Sequence, residues 1–169
     1  VKIKEWPEDL ACPEGYTERQ MEVAMPMFNL MFKCRPTENG ETGIRREMVA
    51  DLAAEALFGE SSPLYLKMYE QGIIDSSFGG GQEFTAGTAM LTCGGDSKDP
   101  EEVRNCILNE ARFLVENGLD PSAFERIKRS FLGIRFKDLT SFDGTCFRLV
   151  AYSMEDHDYF DFPSIFQEV

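Results

Sequence analysis

The chain has 169 residues and a mass of 19.2 kDa, about one domain, and it is long enough to bury a core without disulfides or metal staples. Hydrophobic residues at 43% and charged residues at 28% exclude wholesale disorder and rod-like repeats. A net charge of −13 disfavours nucleic acid and anionic lipid as partners, leaving a solubilising surface or one that attracts basic peptides.

Residues 1–17, with Pro7, Pro13 and Gly15, read as a linker or the end of a preceding domain, and residues 18–169 as one domain truncated at its C-terminus. No initiating Met is present, and Pro163 opens a helix that stops after about two turns, so a piece of a longer polypeptide is expected. Residues 18–34 read as a long strand, because Met21, Val23, Met25 and Met27 alternate with Ala24, Phe28, Leu30 and Phe32. Apolar residues on both of its faces predict a covered strand, and Pro26, which has no N–H to donate, predicts a bulge or an edge position. Residues 35–40 read as a polar loop.

The period turns helical from Gly43 to Phe58, with Ile44, Met48, Leu52, Ala53, Ala56 and Leu57 as the buried stripe and Gly59 as the stop. Ser62 is the expected N-cap of a second helix, Pro63 its first residue and Gly72 its end. Strands are expected at Ile73–Phe78 and Phe84–Cys93, joined through Gly79-Gly80-Gly81 as a wide hairpin or bulge. The triplet does not read as a phosphate cradle, since a strand and no lysine follow it.

Two helices with matched starts come next. Asp99-Pro100 with Glu102 opens the first, whose stripe is Val103, Ile107, Ala111, Leu114 and Val115, and Asn117-Gly118 closes it. Asp120-Pro121 opens the second, with Phe124, Ile127, Phe131 and Ile134 inward. Its other face gathers Arg126, Lys128, Arg129, Arg135 and Lys137, either a solvated face or a contact for an acidic partner domain. A last helix is expected over residues 142–155, with Phe147, Leu149, Val150 and Tyr152 inward. The order of elements predicts an α+β fold, with helices packed on one face of a mostly antiparallel sheet.

The residues offer little chemistry. The one histidine, His157, sits between acidic neighbours and reads as a loop residue, or as a ligand or base only if distant groups join it. HExxH, HxxEH, GxSxG and P-loop motifs are all missing from the sequence, so no catalytic residue and no metal ligand is assigned. The five cysteines are odd in number and have no CxxC spacing, which favours reduced thiols and a cytoplasmic setting over disulfides or a zinc knuckle. No segment reads as a membrane span or as a secretory signal. Binding, pairing or completing another domain's site is expected in place of catalysis.

Two runs resemble a known family. Residues 57–78, LFGESSPLYLKMYEQGIIDSSF, resemble the C-terminal half of pitrilysin-type zinc metallopeptidases, and Gly118-Leu119-Asp120-Pro121 through Phe124-Glu125 and Lys128 resembles a later helix start of that family. The group includes insulinase, the mitochondrial processing peptidase and bacterial two-domain relatives, which this chain resembles most. The resemblance implies zinc held by an inverted HxxEH motif in an N-terminal half, where it polarises the scissile carbonyl and activates water, with the motif's Glu as general base. It implies that the C-terminal half repeats the fold without metal and closes a peptide-binding chamber. The resemblance implies that this chain needs no cofactor itself and has as partners the N-terminal catalytic half and a peptide substrate, with a homologous subunit as a further candidate. Family domains that touch substrate carry an Arg and a Tyr where this sequence has Tyr69 and Asp75, so no carbonyl-binding role is carried over. Tyr69, Glu70, Asp75 and Gly79, Gly80 and Gly81 are the expected chamber wall. The alternative is a scaffold or pairing domain of an inactive relative, as in respiratory-complex core proteins. A further alternative is an unrelated acidic α+β binding module.

Overall fold

A computed structural model describes residues 9–12, 15–36, 40–85, 88–154 and 156–169. In chain order the elements are β1 (Met27–Cys34), α1 (Glu41–Phe58), α2 (Pro63–Glu70), β2 (Gly79–Thr85), β3 (Thr88–Asp96), α3 (Pro100–Asn117), α4 (Pro121–Asp138), α5 (Phe142–Met154), a 3-10 turn at Tyr159–Asp161, and α6 (Phe162–Gln167). The strands form one antiparallel sheet in the order β1-β3-β2. The α+β fold read from the sequence is therefore the fold of the chain.

Helix starts follow local chemistry. The side chains of Ser62, Asp99 and Asp120 accept from the backbone N–H of Tyr65, Glu102 and Ala123 at 3.1, 3.0 and 2.8 Å, and Pro takes an early position each time. α3 ends at Gly118, whose φ of +78° suits glycine.

The strands differ from expectation. β1 begins at Met27, not near residue 18. Pro26 stands just before it and accepts from Ser97 N at 3.0 Å, and Ser97 is where β3 has given way to the segment that caps α3. Residues 18–25 alternate in hydrophobicity but pair with no strand among the described residues. The expected strand at Ile73–Phe78 reduces to one bridge, Ile74 to Ser97, followed by a turn in which Asp75 Oδ1 accepts from Ser77 N at 2.8 Å.

The glycine triplet is not a hairpin. Gly79, Gly80 and Gly81 lie inside β2 opposite Gly94, Cys93 and Thr92, and the strands reverse between Thr85 and Thr88, so the expected strand at Phe84–Cys93 spans that reversal. The reversing residues 86–87 lie outside the described residues. Glycine's poor strand propensity argued for a turn, but packing overrides it. A Cβ on Gly80 would stand 2.6 Å from Phe58 Cδ2 and 2.7 Å from Thr92 O, so only glycine lets the end of α1 approach the sheet this closely.

α1 separates two cores. Ala54 and Phe58 join Tyr65, Met68, Phe78 and Val103 beneath the sheet, where Phe28, Leu30 and Phe32 of β1 cover them. Ile44, Met48, Leu52 and Ala56 join Ile127, Tyr152, Phe162 and Phe166 on the other side. The expected stripe thus becomes two, and Ala53 is left exposed.

The later helices bury less than their periodicity predicted. In α3 only Val103 and Ile107 are buried and Val115 is open, because its N-terminal half alone rests on the body. In α4, Ile127 is buried and Ile134 exposed, while Arg135, expected on the basic outer face, is buried. α5 buries Tyr152 alone, leaving Phe147, Leu149 and Val150 exposed against expectation.

Candidate functional site

Alternation along three paired strands gives the sheet two unlike faces. Phe28, Leu30 and Cys93 turn to the core. Met27 and Met31 of β1 project from the other face and are exposed. The register sets Asn29 opposite Gly94 and Gly94 opposite Gly79, while Met31 opposes Thr92 and Thr92 opposes Gly81. Glycines at Gly79, Gly81 and Gly94 leave a shallow depression of about 550 Å³ on that side, bounded by Met27, Asn29 and Thr92. It is wide and open, with main chain as its floor. Such a surface suits an extended chain better than a compact small molecule.

Of the residues expected to line a wall, Gly79, Gly80 and Gly81 border this depression. Tyr69, Glu70 and Asp75 do not border it. Tyr69 is half exposed near the end of α2, where its ring stacks on Tyr65 with centroids 5.8 Å apart. Glu70 is exposed at the last residue of α2. Asp75 is tied up within its own turn, where hydrogen bonds from the Ser77 side chain and backbone hold its carboxyl below the usual range.

The sequence reading missed a buried polar cluster between the two cores. Glu47 and Asp51 lie four residues apart on α1. Arg135 of α4, its side chain 6% exposed, donates from Nη2 to Asp51 Oδ2 at 3.1 Å. Gln82 of β2 donates from Nε2 to Glu47 Oε1 at 3.3 Å. Arg148 of α5 bonds Asp138 at 3.4 Å. Burial pushes both the Glu47 and Asp51 carboxyls up, and Arg135 only partly opposes this. Burial also pushes the Tyr152 phenol up to about 12. Arg135 Nη1 and Gln82 Oε1 are buried with no hydrogen-bond partner among the described residues. The signal was present in the spacing: Arg135 falls four residues after Phe131 and eight after Ile127, on the apolar stripe itself. The cluster ties sheet, α1 and α4 together around a guanidinium that is 6% exposed, so it acts as structure.

His157 lies in the loop after α5, where its backbone N–H donates to Tyr152 O at 3.0 Å. With Ser153, Asp156 and Asp158 it borders a second open hollow of about 490 Å³. Among the described residues no group of three His, Cys, Asp or Glu is arranged to hold a metal ion. The five cysteines are free, and burial pushes the Cys93 thiol up to about 12, making it inert. No helix among the described residues is long and apolar enough to cross a membrane.

Comparison with known proteins accords with this architecture. Residues 2–131 match the family described as the peptidase M16 inactive domain. The whole chain aligns at 27% identity with the uncharacterized zinc protease YmfH of Bacillus subtilis (strain 168), and it spans 40% of that protein's length. An M16-like peptidase from Alicyclobacillus acidocaldarius shares the fold, with a TM-score of 0.68 and 22% identity over 73% of this chain and 29% of that one. An α+β domain matched over most of its length by this family model belongs to the peptidase M16 family, as its inactive domain.

Proposed function

We propose that the chain is the non-catalytic C-terminal domain of a zinc-dependent endopeptidase. In this reading it closes a peptide-binding chamber opposite an N-terminal half that carries HxxEH and the zinc. The match to the inactive domain over residues 2–131 carries the reading. The relative named a zinc protease, which the chain spans over 40% of its length, leaves room for a catalytic half.

The open sheet face supplies the chamber wall. Its glycines expose main chain at Gly79, Gly81 and Gly94, with Met27 and Met31 beside them. Main chain and flexible thioethers accept varied unfolded sequences without demanding one side chain. Tyr69, Glu70 and Asp75 stand apart from that depression and border the wall at most. A net charge of −13 favours basic peptide segments over acidic ones. Free cysteines support a reducing, cytoplasmic setting.

The test is hydrolysis of a quenched fluorescent peptide by the full-length protein and by this chain alone, each with zinc and with a chelator. The full-length protein is expected to cleave only with zinc, and the chain alone never. Turnover by this chain alone overturns the assignment. A zinc-supplied full-length protein that cuts nothing moves it to a pairing domain of an inactive relative.

A further inference from the structure

The open face of the sheet holds two glycines that the fold itself does not require. Gly80 is held to glycine by Phe58, and Gly94 by the Phe28 carbonyl oxygen, which would stand 2.7 Å from a Cβ. Gly79 and Gly81 are different. A Cβ on either meets nothing within 4 Å, and neither has a positive φ. Glycine inside a strand loses the most backbone freedom on folding and packs no side chain, so it is unfavourable without a reason. Two such positions keep the space above β2 clear.

Strand alternation decides what bounds that space. Gly79, Gly81 and Glu83 follow one another on the open face of β2, while Gln82 turns the other way to Glu47. Across the ladder Thr92 opposes Gly81, and Met90 opposes Glu83. Thr92 Oγ1 donates to Glu83 Oε1 at 3.5 Å, so the carboxylate leans diagonally back toward Gly81 and the depression. Glu83 is exposed, and among the described residues no cation pairs with it. Lys33, in the same row two strands away, donates to the main-chain oxygen of Asp9 at 3.1 Å.

A carboxylate at the end of a strip of bare main chain selects the residue that lies there. Gly81 and Glu83 are about 7 Å apart along the strand, within reach of one long side chain. Lysine and arginine lay an apolar stem along a surface and keep the charged head at its edge. Over Gly79 and Gly81 the stem finds room that a Cβ would fill, and the head meets Glu83. An acidic residue in the same place faces Glu83 and a chain charge of −13.

We propose that Glu83 is a specificity-determining residue, whose carboxylate receives a Lys or Arg side chain of an extended peptide lying over Gly79 and Gly81. This rests on the reading of the sheet face as the wall of a peptide-binding chamber. The test uses the full-length protein with zinc and quenched fluorescent peptides in which one lysine is moved stepwise through a neutral sequence. Each peptide is paired with its norleucine counterpart, which keeps most of the stem and loses the charge. At one position lysine is expected to raise kcat/KM by roughly threefold or more, the size of a modest ion pair, with the advantage shrinking as salt is added. Glu83→Gln is expected to bring the two peptides level, and Glu83→Lys to favour glutamate at that position. Glu83 is exposed, so both variants are expected to keep the wild-type urea midpoint. A lysine advantage that survives Glu83→Gln, or no advantage at any position, overturns the proposal.

Binding of the same peptides, followed by fluorescence anisotropy, separates the two claims. Cleavage that ignores the lysine removes the role of Glu83 and leaves the peptidase reading standing. A lysine preference in binding that Glu83→Gln abolishes, without any cleavage, removes the peptidase reading and keeps the subsite. A full-length protein that neither binds nor cleaves any of the peptides overturns both.

Discussion

Replacing Asp51 by alanine probes the buried polar cluster most sharply. The carboxylate accepts from Arg135 Nη2 at 3.1 Å, and the guanidinium it serves is 6% exposed. Arg135 Nη1 already lacks a partner, so the substitution leaves a buried cation with no direct ion pair. Breaking a buried pair this way costs roughly 3–5 kcal/mol. Glu47, also close enough to interact with Arg135, recovers part of that, so about 2–3 kcal/mol is expected. For a chain of this length that lowers the melting temperature by roughly 5–10 °C.

The reverse substitution, Arg135→Met, removes the buried cation and leaves Asp51, which is 25% exposed and can hydrate or take up a proton. It is expected to cost about 1 kcal/mol, with the methionine filling the space over Phe131 and Phe162. Urea unfolding followed by far-UV circular dichroism measures both. Equal costs, or a larger cost for Arg135→Met, would refute the view that the buried guanidinium, not the carboxylate, dictates the energetics.

Three further outcomes are expected. Gly80→Ala forces a Cβ to within 2.6 Å of the Phe58 ring and 2.7 Å of Thr92 O and costs roughly 1–3 kcal/mol; Gly81→Ala, which meets nothing within 4 Å, is expected to be near neutral in the same urea titration. Glu47 and Asp51 hold protons more tightly folded than unfolded, so the stability they contribute is present below their unfolded pKa and lost as pH rises through the raised folded values. The urea midpoint of wild type minus that of Glu47→Gln should therefore fall with rising pH across that window, and a difference that rises contradicts the assignment. Cys93, buried and pushed up to about 12, is expected to react with a thiol reagent only on unfolding, whereas exposed Cys12 and Cys146 react in the native protein.

Helix boundaries were legible because caps are local chemistry. Asp99-Pro100, Ser62-Pro63 and Asp120-Pro121 each announce a start that needs no knowledge of the rest of the chain. Sheet boundaries were not, because a strand exists only where a partner lies. The alternating residues 18–25 have none among the described residues, and the glycine triplet became strand because β3 and Phe58 surround it. Arg135 shows the same limit: its place on the stripe of Ile127 and Phe131 was visible, but the Asp51 that receives it lies 84 residues away. The family resemblance was carried mainly by residues 57–78, which fold into the end of α1, α2 and the turn before β2. The depression on the sheet was only partly foreseen, since Gly79 to Gly81 border it while Met27, Asn29 and Gly94 emerge from strand register alone.

Complementation measures the central claim most directly. The zinc-loaded N-terminal half of the full-length protein is assayed for peptide hydrolysis before and after addition of purified 1–169. The account predicts a weak or silent N-terminal half whose activity rises on addition of this chain, while 1–169 alone stays silent. An N-terminal half that is fully active without it, or hydrolysis by 1–169 on its own, would contradict it.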